Sequence, residues 1–281
     1  MSHAQQSLFL ITGVSSGFGR ALAEAALRAG HRVAGTLRDA GALAAFEALA
    51  PGRAIGVRLD VTDAGAVARE VARLEAEHGA IEVLVNNAGY GHEGILEESP
   101  LEALRRQFEV NVFGAVAVLK AVLPGMRRRR SGRILNVTSM GGFITLPGIA
   151  YYCGSKFALE GISATLASEV EGFGIQVTAV APGSFRTDWA GRSMDRSARS
   201  EADYDALFEP IRAAREAKSG RQLGDPARAA QAMLRLLRMP KQPRHLLLGS
   251  DAVQLVRAQL RALEEEIALH EALSLSTDAP L

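Results

Sequence analysis

The sequence predicts an α/β fold: one doubly wound domain whose mostly parallel sheet is covered by helices on both faces. Short apolar, β-branched runs alternate with longer stretches of helical apolar spacing from end to end of the chain, the pattern of repeated strand–helix units. Alternating strands and helices with short connections imply a parallel sheet covered on both faces. The first run also leads through a glycine-rich turn directly into a helix. Strands are expected near residues 7–12, 32–37, 54–59, 81–86, 133–138, 175–180 and 244–248. Helices are expected near 17–29, 40–49, 64–78, 100–123, 151–171, 200–217, 226–238 and 252–272.

In chain order, Leu8-Phe9-Leu10-Ile11 is the first strand, and Thr12-Gly13-Val14-Ser15-Ser16-Gly17-Phe18-Gly19 is the turn after it. A helix pattern follows (Ala21, Leu22, Ala25, Ala26, Leu27) and closes at Gly30. Strand, glycine turn and helix N-terminus cradle a dinucleotide pyrophosphate, with backbone N–H groups and the helix dipole facing the phosphates. The spacing is G-x-x-x-G-x-G. The second strand ends in Thr36-Leu37-Arg38-Asp39. An acid here would take the adenosine ribose of NAD, whereas an arginine accommodates the 2′-phosphate of NADP. Leu37 stands where the acid would be and Arg38 follows it, so NADP(H) is expected over NAD(H). Asp39 keeps the NAD reading open if the loop register slips by a residue or two.

Asp60 follows Val57-Arg58-Leu59 and, by default, would cap the helix beginning after Thr62. Val83-Leu84-Val85 leads to Asn86-Asn87-Ala88-Gly89, where small residues admit a close backbone approach. Asn86 is equally able to tie the central strands together. Asn111 lies among Val110, Val112 and Phe113 in the long helical stretch 100–123, and a buried Asn must find partners. Arg127 to Arg130 are read as a solvated helix end, where the dipole favours cations. Ile134-Leu135-Asn136-Val137-Thr138 leads to Ser139.

Tyr152 and Lys156 open the next helical segment (Phe157, Leu159, Ile162, Leu166, Val170) and are four residues apart, on one helix face. A nearby ammonium favours the phenolate and is expected to draw Tyr152 below its ordinary pKa of about 10, as a general acid/base acting on an alcohol or carbonyl requires. Tyr151 cannot be the first member of this pair, because Ser155 lies four residues after it.

After Val177 to Val180 comes Ala181-Pro182-Gly183-Ser184-Phe185-Arg186-Thr187. Residues 188–222 carry no strand signal and are expected to form a mobile lid over a substrate. Residues 250–281 add a C-terminal helical extension, amphipathic from Val253 to Leu273, that either packs on the body or reaches a partner subunit. No linker or repeat divides the chain, so residues 1–281 are read as one domain.

Composition bounds the function. The 281 residues are 48% hydrophobic and 22% charged with net charge +1, ordinary for a soluble enzyme and without the excess that nucleic acid or an anionic membrane would attract. A single cysteine, Cys153, excludes an internal disulfide and fits a reducing compartment. Beside Tyr152 it reads as a small packing residue. No 18-residue apolar run is evident, Met1 to Ser7 lacks an apolar signal core, and the six histidines form no metal-ligand spacing. A cytoplasmic protein without metal, nucleic acid or membrane partner is expected.

Taken together, T-G-x-x-x-G-x-G, Asp60 in L-D-V-T-D, N-N-A-G at Asn86 to Gly89, Asn111, Ser139, Tyr152, Lys156 and Pro182-Gly183 resemble the short-chain dehydrogenase/reductase family over nearly the whole chain. F-E-V-N-V-F-G and Y-Y-C-G-S-K-F-A-L-E-G resemble its NADP-linked, 17β-hydroxysteroid-dehydrogenase-like branch. The resemblance implies a Rossmann-type sheet of seven strands and a homodimer or homotetramer through the helices at 100–123 and 151–171. It also implies hydride transfer between NADP(H) and a small-molecule carbonyl or secondary alcohol. Gly13, Ser15, Ser16, Gly17, Phe18, Gly19, Arg38, Asp60, Val61, Asn87, Ala88, Gly89, Tyr152, Lys156, Pro182, Gly183, Phe185 and Thr187 would then contact cofactor, Asp60 at the adenine and Thr187 at the carboxamide. Ser139 would hold the substrate oxygen, Tyr152 would move its proton, Lys156 would anchor the nicotinamide ribose, and Asn111 would hold a water that completes the proton relay.

The candidate pocket walls are mostly apolar: Tyr90, Phe143, Ile144, Leu146, Tyr151, Phe185, Trp189 and Phe208, with Arg186 and Arg192 as nearby cations. A neutral hydrophobic substrate is expected. The rival readings are a non-catalytic dinucleotide-binding regulator, which usually lacks the Tyr or Lys, and a nucleotide-sugar epimerase or dehydratase, which usually carries a larger C-terminal region.

Overall fold

The computed structural model describes residues 6–187, 189, 191 and 193–279. Its strands are β1 (Leu8–Ile11), β2 (Arg32–Leu37), β3 (Ala54–Arg58), β4 (Ile81–Asn86), β5 (Gly91–Glu93), β6 (Gly132–Val137), β7 (Ile175–Pro182), β8 (Met194–Arg196) and β9 (His245–Leu248). The α-helices are α1 (Gly17–Arg28), α2 (Gly41–Glu47), α3 (Ala64–His78), α4 (Leu101–Phe108), α5 (Ala115–Arg128), α6 (Ala150–Val170), α7 (Asp205–Ala217), α8 (Pro226–Leu237) and α9 (Ser250–Leu275). Seven strands form one parallel sheet in the order β3-β2-β1-β4-β6-β7-β9. The sheet is the seven-stranded Rossmann arrangement that the sequence predicts.

Two apolar layers hold the helices to the sheet. On one face Leu22, Ala26, Phe46, Met233 and Leu234 pack against Phe9, Ile11 and Val33. On the other, Val67, Leu74, Val118, Val122, Met126 and Leu166 pack against Leu8, Leu84 and Ile134. Each large side chain so buried stabilises by about 1.5–3 kcal/mol before entropy is counted. Chain order reverses between β1 and β4, and a crevice opens beyond the strand ends there, where ligands of such sheets bind.

Five local readings are corrected. Asp63, not Asp60, caps α3, its carboxylate accepting from the Ala66 N–H at 2.8 Å. Asp60 instead accepts from the Thr62 N–H and hydroxyl. The helix expected at 100–123 continues to Arg128, because Pro124 removes only one backbone donor. Arg129 is no solvated end: it pairs with Glu75 at 3.3 Å and donates to the Ile81 carbonyl. The lid segment does contain a strand, since Met194-Asp195-Arg196 pairs in parallel with Gly91-His92-Glu93. Three residues are too few for a pattern to show. The helical run Leu101–Arg128 is also long and apolar enough to cross a membrane by length and composition, contrary to the reading above. Here it packs on the sheet, with Val118, Leu119, Val122 and Met126 in the core.

Candidate active site

The first turn of α1 is left open for an anion. Ser16 precedes the helix in extended conformation and makes no side-chain cap, and no acidic residue lies in that turn. Gly13 (φ 71°) brings the chain so close to β4's exit that an added Cβ would lie 3.0 Å from the Ala88 Cα. Thr12 and Asn87 lock the two segments: the Thr12 hydroxyl accepts from the Asn87 and Ala88 N–H groups, and the Asn87 amide donates to the Thr12 and Gly13 carbonyls, all at 2.9 Å. Gly19 lies beneath this turn, its Cα against the Gly13 carbonyl and the Asn87 amide. It is the one predicted cofactor residue that does not line the cavity; it permits the packing instead.

A cavity of about 1310 Å³ runs from this turn across the strand ends. All the other predicted cofactor residues line it: Gly13, Ser15, Ser16, Gly17, Phe18, Arg38, Asp60, Val61, Asn87, Ala88, Gly89, Tyr152, Lys156, Pro182, Gly183, Phe185 and Thr187. A volume of this size accommodates a dinucleotide together with a substrate. The glycine cradle and uncapped helix end fit a pyrophosphate. At the adenosine end Arg38 is exposed and has no acidic partner among the described residues. Asp39 is turned away, its carboxylate accepting from the Gly41 N–H at 2.9 Å at the start of α2.

At the other end Ser139, Tyr152 and Lys156 converge. Ser139 leaves β6 in extended conformation and caps the short 3₁₀ turn Met140–Gly142, its Oγ accepting from the Gly141 N–H at 3.0 Å. Tyr152 and Lys156 share one face of α6 and are only 7% and 6% exposed. The Lys156 Nζ lies 5.7 Å from the centre of the Tyr152 ring and donates to the Val137 carbonyl at 2.9 Å. The expectation that Lys156 draws the phenol down is overturned. Burial pushes Tyr152 up to about 12, with Ser139 pulling the other way. Burial also presses Lys156 down to about 8, opposed by Glu160 one turn later.

Asn111 lies in a π-helical turn, Glu109–Gly114, between α4 and α5. It is 1% exposed and outside the cavity lining. Its amide donates to the Tyr90 carbonyl and the Ser155 hydroxyl, and its oxygen accepts from the Tyr90 N–H, each at 3.1 Å. A Cβ at Gly89 would sit 3.0 Å from the Asn111 Oδ1 and 3.8 Å from the Lys156 Nζ, so both face that glycine. Asn86 ties β4 to β6 by donating to the Asn136 Oδ1 at 2.9 Å.

Of the substrate candidates, Tyr90, Leu146, Phe185 and Trp189 line the cavity. The Trp189 ring lies 5.0 Å from the Tyr152 ring. Phe143, Ile144, Tyr151 and Phe208 do not line it. Phe143 packs edge-on against His245, and buried Ile144 accompanies the turn that follows Ser139. Tyr151 donates to the Ser99 carbonyl and stacks on His92, while Phe208 lies under Arg199. Sequence reasoning missed Ile149, Met194, Ile211, Ala214 and Leu255 in the wall. The spacing of Ile211, Ala214 and Arg215 on α7 was the available signal. It also missed Asp251, whose carboxylate accepts from the Ser184 N–H at 2.7 Å and fixes the turn after β7.

Three cations near the substrate end face carboxylates: Arg215 with Glu93, Arg106 with Asp195 at 3.1 Å, and Arg186 with Asp225 at 3.7 Å. Lys218, exposed at the end of α7, also lines the cavity. Arg192 lies outside the described residues. Glu98 anchors the segment after β8 through Arg199, at 2.8 Å, and through the N–H groups of Ser200 and Glu201. These contacts hold its carboxyl down to about 2.

A family model described as a short chain dehydrogenase matches residues 7–198. Oxidoreductase BOA17 of Botryotinia fuckeliana is 39% identical over 248 residues, 88% of this chain and 90% of that protein. The 3-ketodihydrosphingosine reductase of Bacteroides thetaiotaomicron is 40% identical over 209 residues, 73% of this chain and 74% of that one. A solved short-chain dehydrogenase from Streptomyces avermitilis matches with a TM-score of 0.92 and 41% identity, covering 99% of this chain and 100% of that one.

Proposed function

The chain belongs to the short-chain dehydrogenase family, and on that premise we propose that it interconverts a neutral, largely apolar carbonyl compound and its alcohol with NADP(H). The observation that carries this reading is the meeting, in one cavity, of the Tyr152–Lys156 pair with an apolar wall of Leu146, Ile149, Trp189, Met194, Ile211 and Leu255. A likeness to a protein named for reducing 3-ketodihydrosphingosine supports a carbonyl substrate. Carboxylates beside Arg106, Arg186 and Arg215 offset the charge these arginines present to an anionic substrate.

The bound dinucleotide would supply or accept the hydride. The chain's own part is position and proton. Ser139 holds the substrate oxygen. Tyr152 donates its proton to that oxygen in reduction and takes it back in oxidation. A phenol near 12 is fully protonated at neutral pH and so ready as the acid. Lys156, near 8, is mostly cationic there; it anchors the ribose and stabilises the phenolate left after donation. Asn111 acts as a positioning residue that pins the Tyr90 loop and Ser155 beside Lys156, where it would hold the relay water. Arg38 selects NADP(H). Leu101, Phe113 and Phe157, exposed on α4 to α6, support a homodimer or homotetramer through those helices.

The test is a panel of aliphatic and aromatic ketones, aldehydes and alcohols assayed with each cofactor. Turnover of apolar carbonyls with stoichiometric NADPH consumption is expected. Turnover confined to charged sugars or acyl thioesters would overturn the substrate assignment.

A further inference from the structure

Helix α9 leaves the body of the molecule. Ala252 and Val256 are buried, but every described residue from Arg257 to Ala279 is exposed. At 1.5 Å per residue the exposed helical part, Arg257 to Leu275, projects about 28 Å. Most helical stability in proteins comes from tertiary packing of an apolar face, and none of the described residues covers this one.

The apolar residues on this arm are ordered. Val256, Leu260, Leu263 and Ile267 follow a 4-3-4 spacing, which lays them along one seam of the kind that closes against another helix. Leu260, Leu263 and Ile267 are 54%, 47% and 61% exposed. The seam continues inward to the buried Ala252, so the exposed row extends the helix's own packing face.

The charges indicate what covers it. Arg257 and Arg261 come first, then Glu264, Glu265, Glu266 and Glu271, and the last turn carries no basic residue. Acids toward the C-terminal end oppose the macrodipole of a lone helix. A parallel copy would set the glutamates against one another. An antiparallel copy sets each basic half beside an acidic half and cancels the two dipoles. An anionic lipid surface would meet four like charges.

We propose that α9 pairs antiparallel with α9 of a second copy, about a twofold axis near Leu263, with Arg257 of each arm toward Glu271 of the other. Such a contact is isologous and closes at two arms. It uses no residue of α4 to α6, so it adds an interface to the one read from those helices and is independent of the catalytic assignment.

The test combines mass and crosslinking on the full-length chain. By light scattering after gel filtration, Leu263→Glu/Ile267→Glu is expected to halve the parent's mass while leaving kcat/KM unchanged, since neither residue lines the cavity. For register, Arg257→Cys and Glu271→Cys chains are mixed and oxidised; the sole native thiol, Cys153, is buried. A disulfide is expected between the two variants and in neither alone. Self-crosslinking of Arg257→Cys would mean parallel arms. Unchanged mass with no crosslink would mean an unpaired arm, and sedimentation with phosphatidylcholine vesicles lost in the double glutamate variant would put lipid in the second copy's place. Each of these results overturns the proposal.

Discussion

Replacing Arg38 with alanine is expected to remove most of the preference for NADPH. Arg38 is the first residue after β2, lines the adenosine end of the cavity and is exposed. The competing acid, Asp39, is committed to the Gly41 N–H, and Leu37 is buried with only 4% exposure. Leu37 offers no carboxylate to a ribose, and Asp39 turns its own toward α2. A hydrogen bond to a charged group contributes roughly 1.5–3 kcal/mol, and exposure to water and salt places Arg38 near the lower end. About 1.5–2 kcal/mol corresponds to a ratio of about ten- to thirtyfold in kcat/KM. The assay is kcat/KM for NADPH and NADH with one reducible ketone, in parent and Arg38→Ala, at two ionic strengths. The variant should lose NADPH efficiency with little change for NADH, and added salt should weaken parent selectivity. A parent that prefers NADH, or a variant that keeps the full ratio, would refute the assignment.

Gly19→Ala should abolish dinucleotide binding or lower thermal stability markedly, because its Cβ would lie well under 3.0 Å from the Gly13 carbonyl and the Asn87 amide; a variant that binds NADPH like the parent, by fluorescence titration, contradicts the packing described. In the reductive direction kcat/KM should fall as pH rises through about 8, where Lys156 loses its proton. Glu160, hydrogen-bonded to His245 at 2.8 Å, opposes the burial that presses Lys156 down, so Glu160→Gln should move the alkaline limb to lower pH; an unmoved limb sinks this coupling. Glu98→Gln should loosen the lid and raise KM several-fold with kcat little changed. The lid anchoring that Glu98 supplies is complete above about pH 4.5 and is lost as pH falls toward 2, so hydrogen exchange in residues 193–222 should rise over that range in the parent and be high throughout in the variant.

The seven strands of the main sheet were legible because each carries a short apolar run, fully buried in β1 and largely buried in β4, β6 and β7. The turn at Gly13 to Gly19 and the Tyr152–Lys156 pair were legible because local spacing fixes their geometry. The rest depends on contacts distant in sequence. Met194 becomes a strand residue only because Gly91 lies beside it. Phe143, Tyr151 and Phe208 look like pocket aromatics in a list of residues, yet His245, His92 and Arg199 claim them. Asp251 carries no local sign that it will hold Ser184. The direction of the Tyr152 shift follows the same logic: helical spacing shows the neighbouring ammonium, whereas the burial that pushes the phenol up comes from the whole fold.

The most direct measurement is Tyr152→Phe, which removes one hydroxyl and leaves the ring beside Trp189. NADPH binding by fluorescence titration and single-turnover reduction of an apolar ketone are read on the same preparation. Binding within a few-fold of the parent and a rate lower by about 10²–10⁴ are predicted, the usual size of general acid/base participation. A rate within a few-fold of the parent would contradict the account, because the proton would then come from another group.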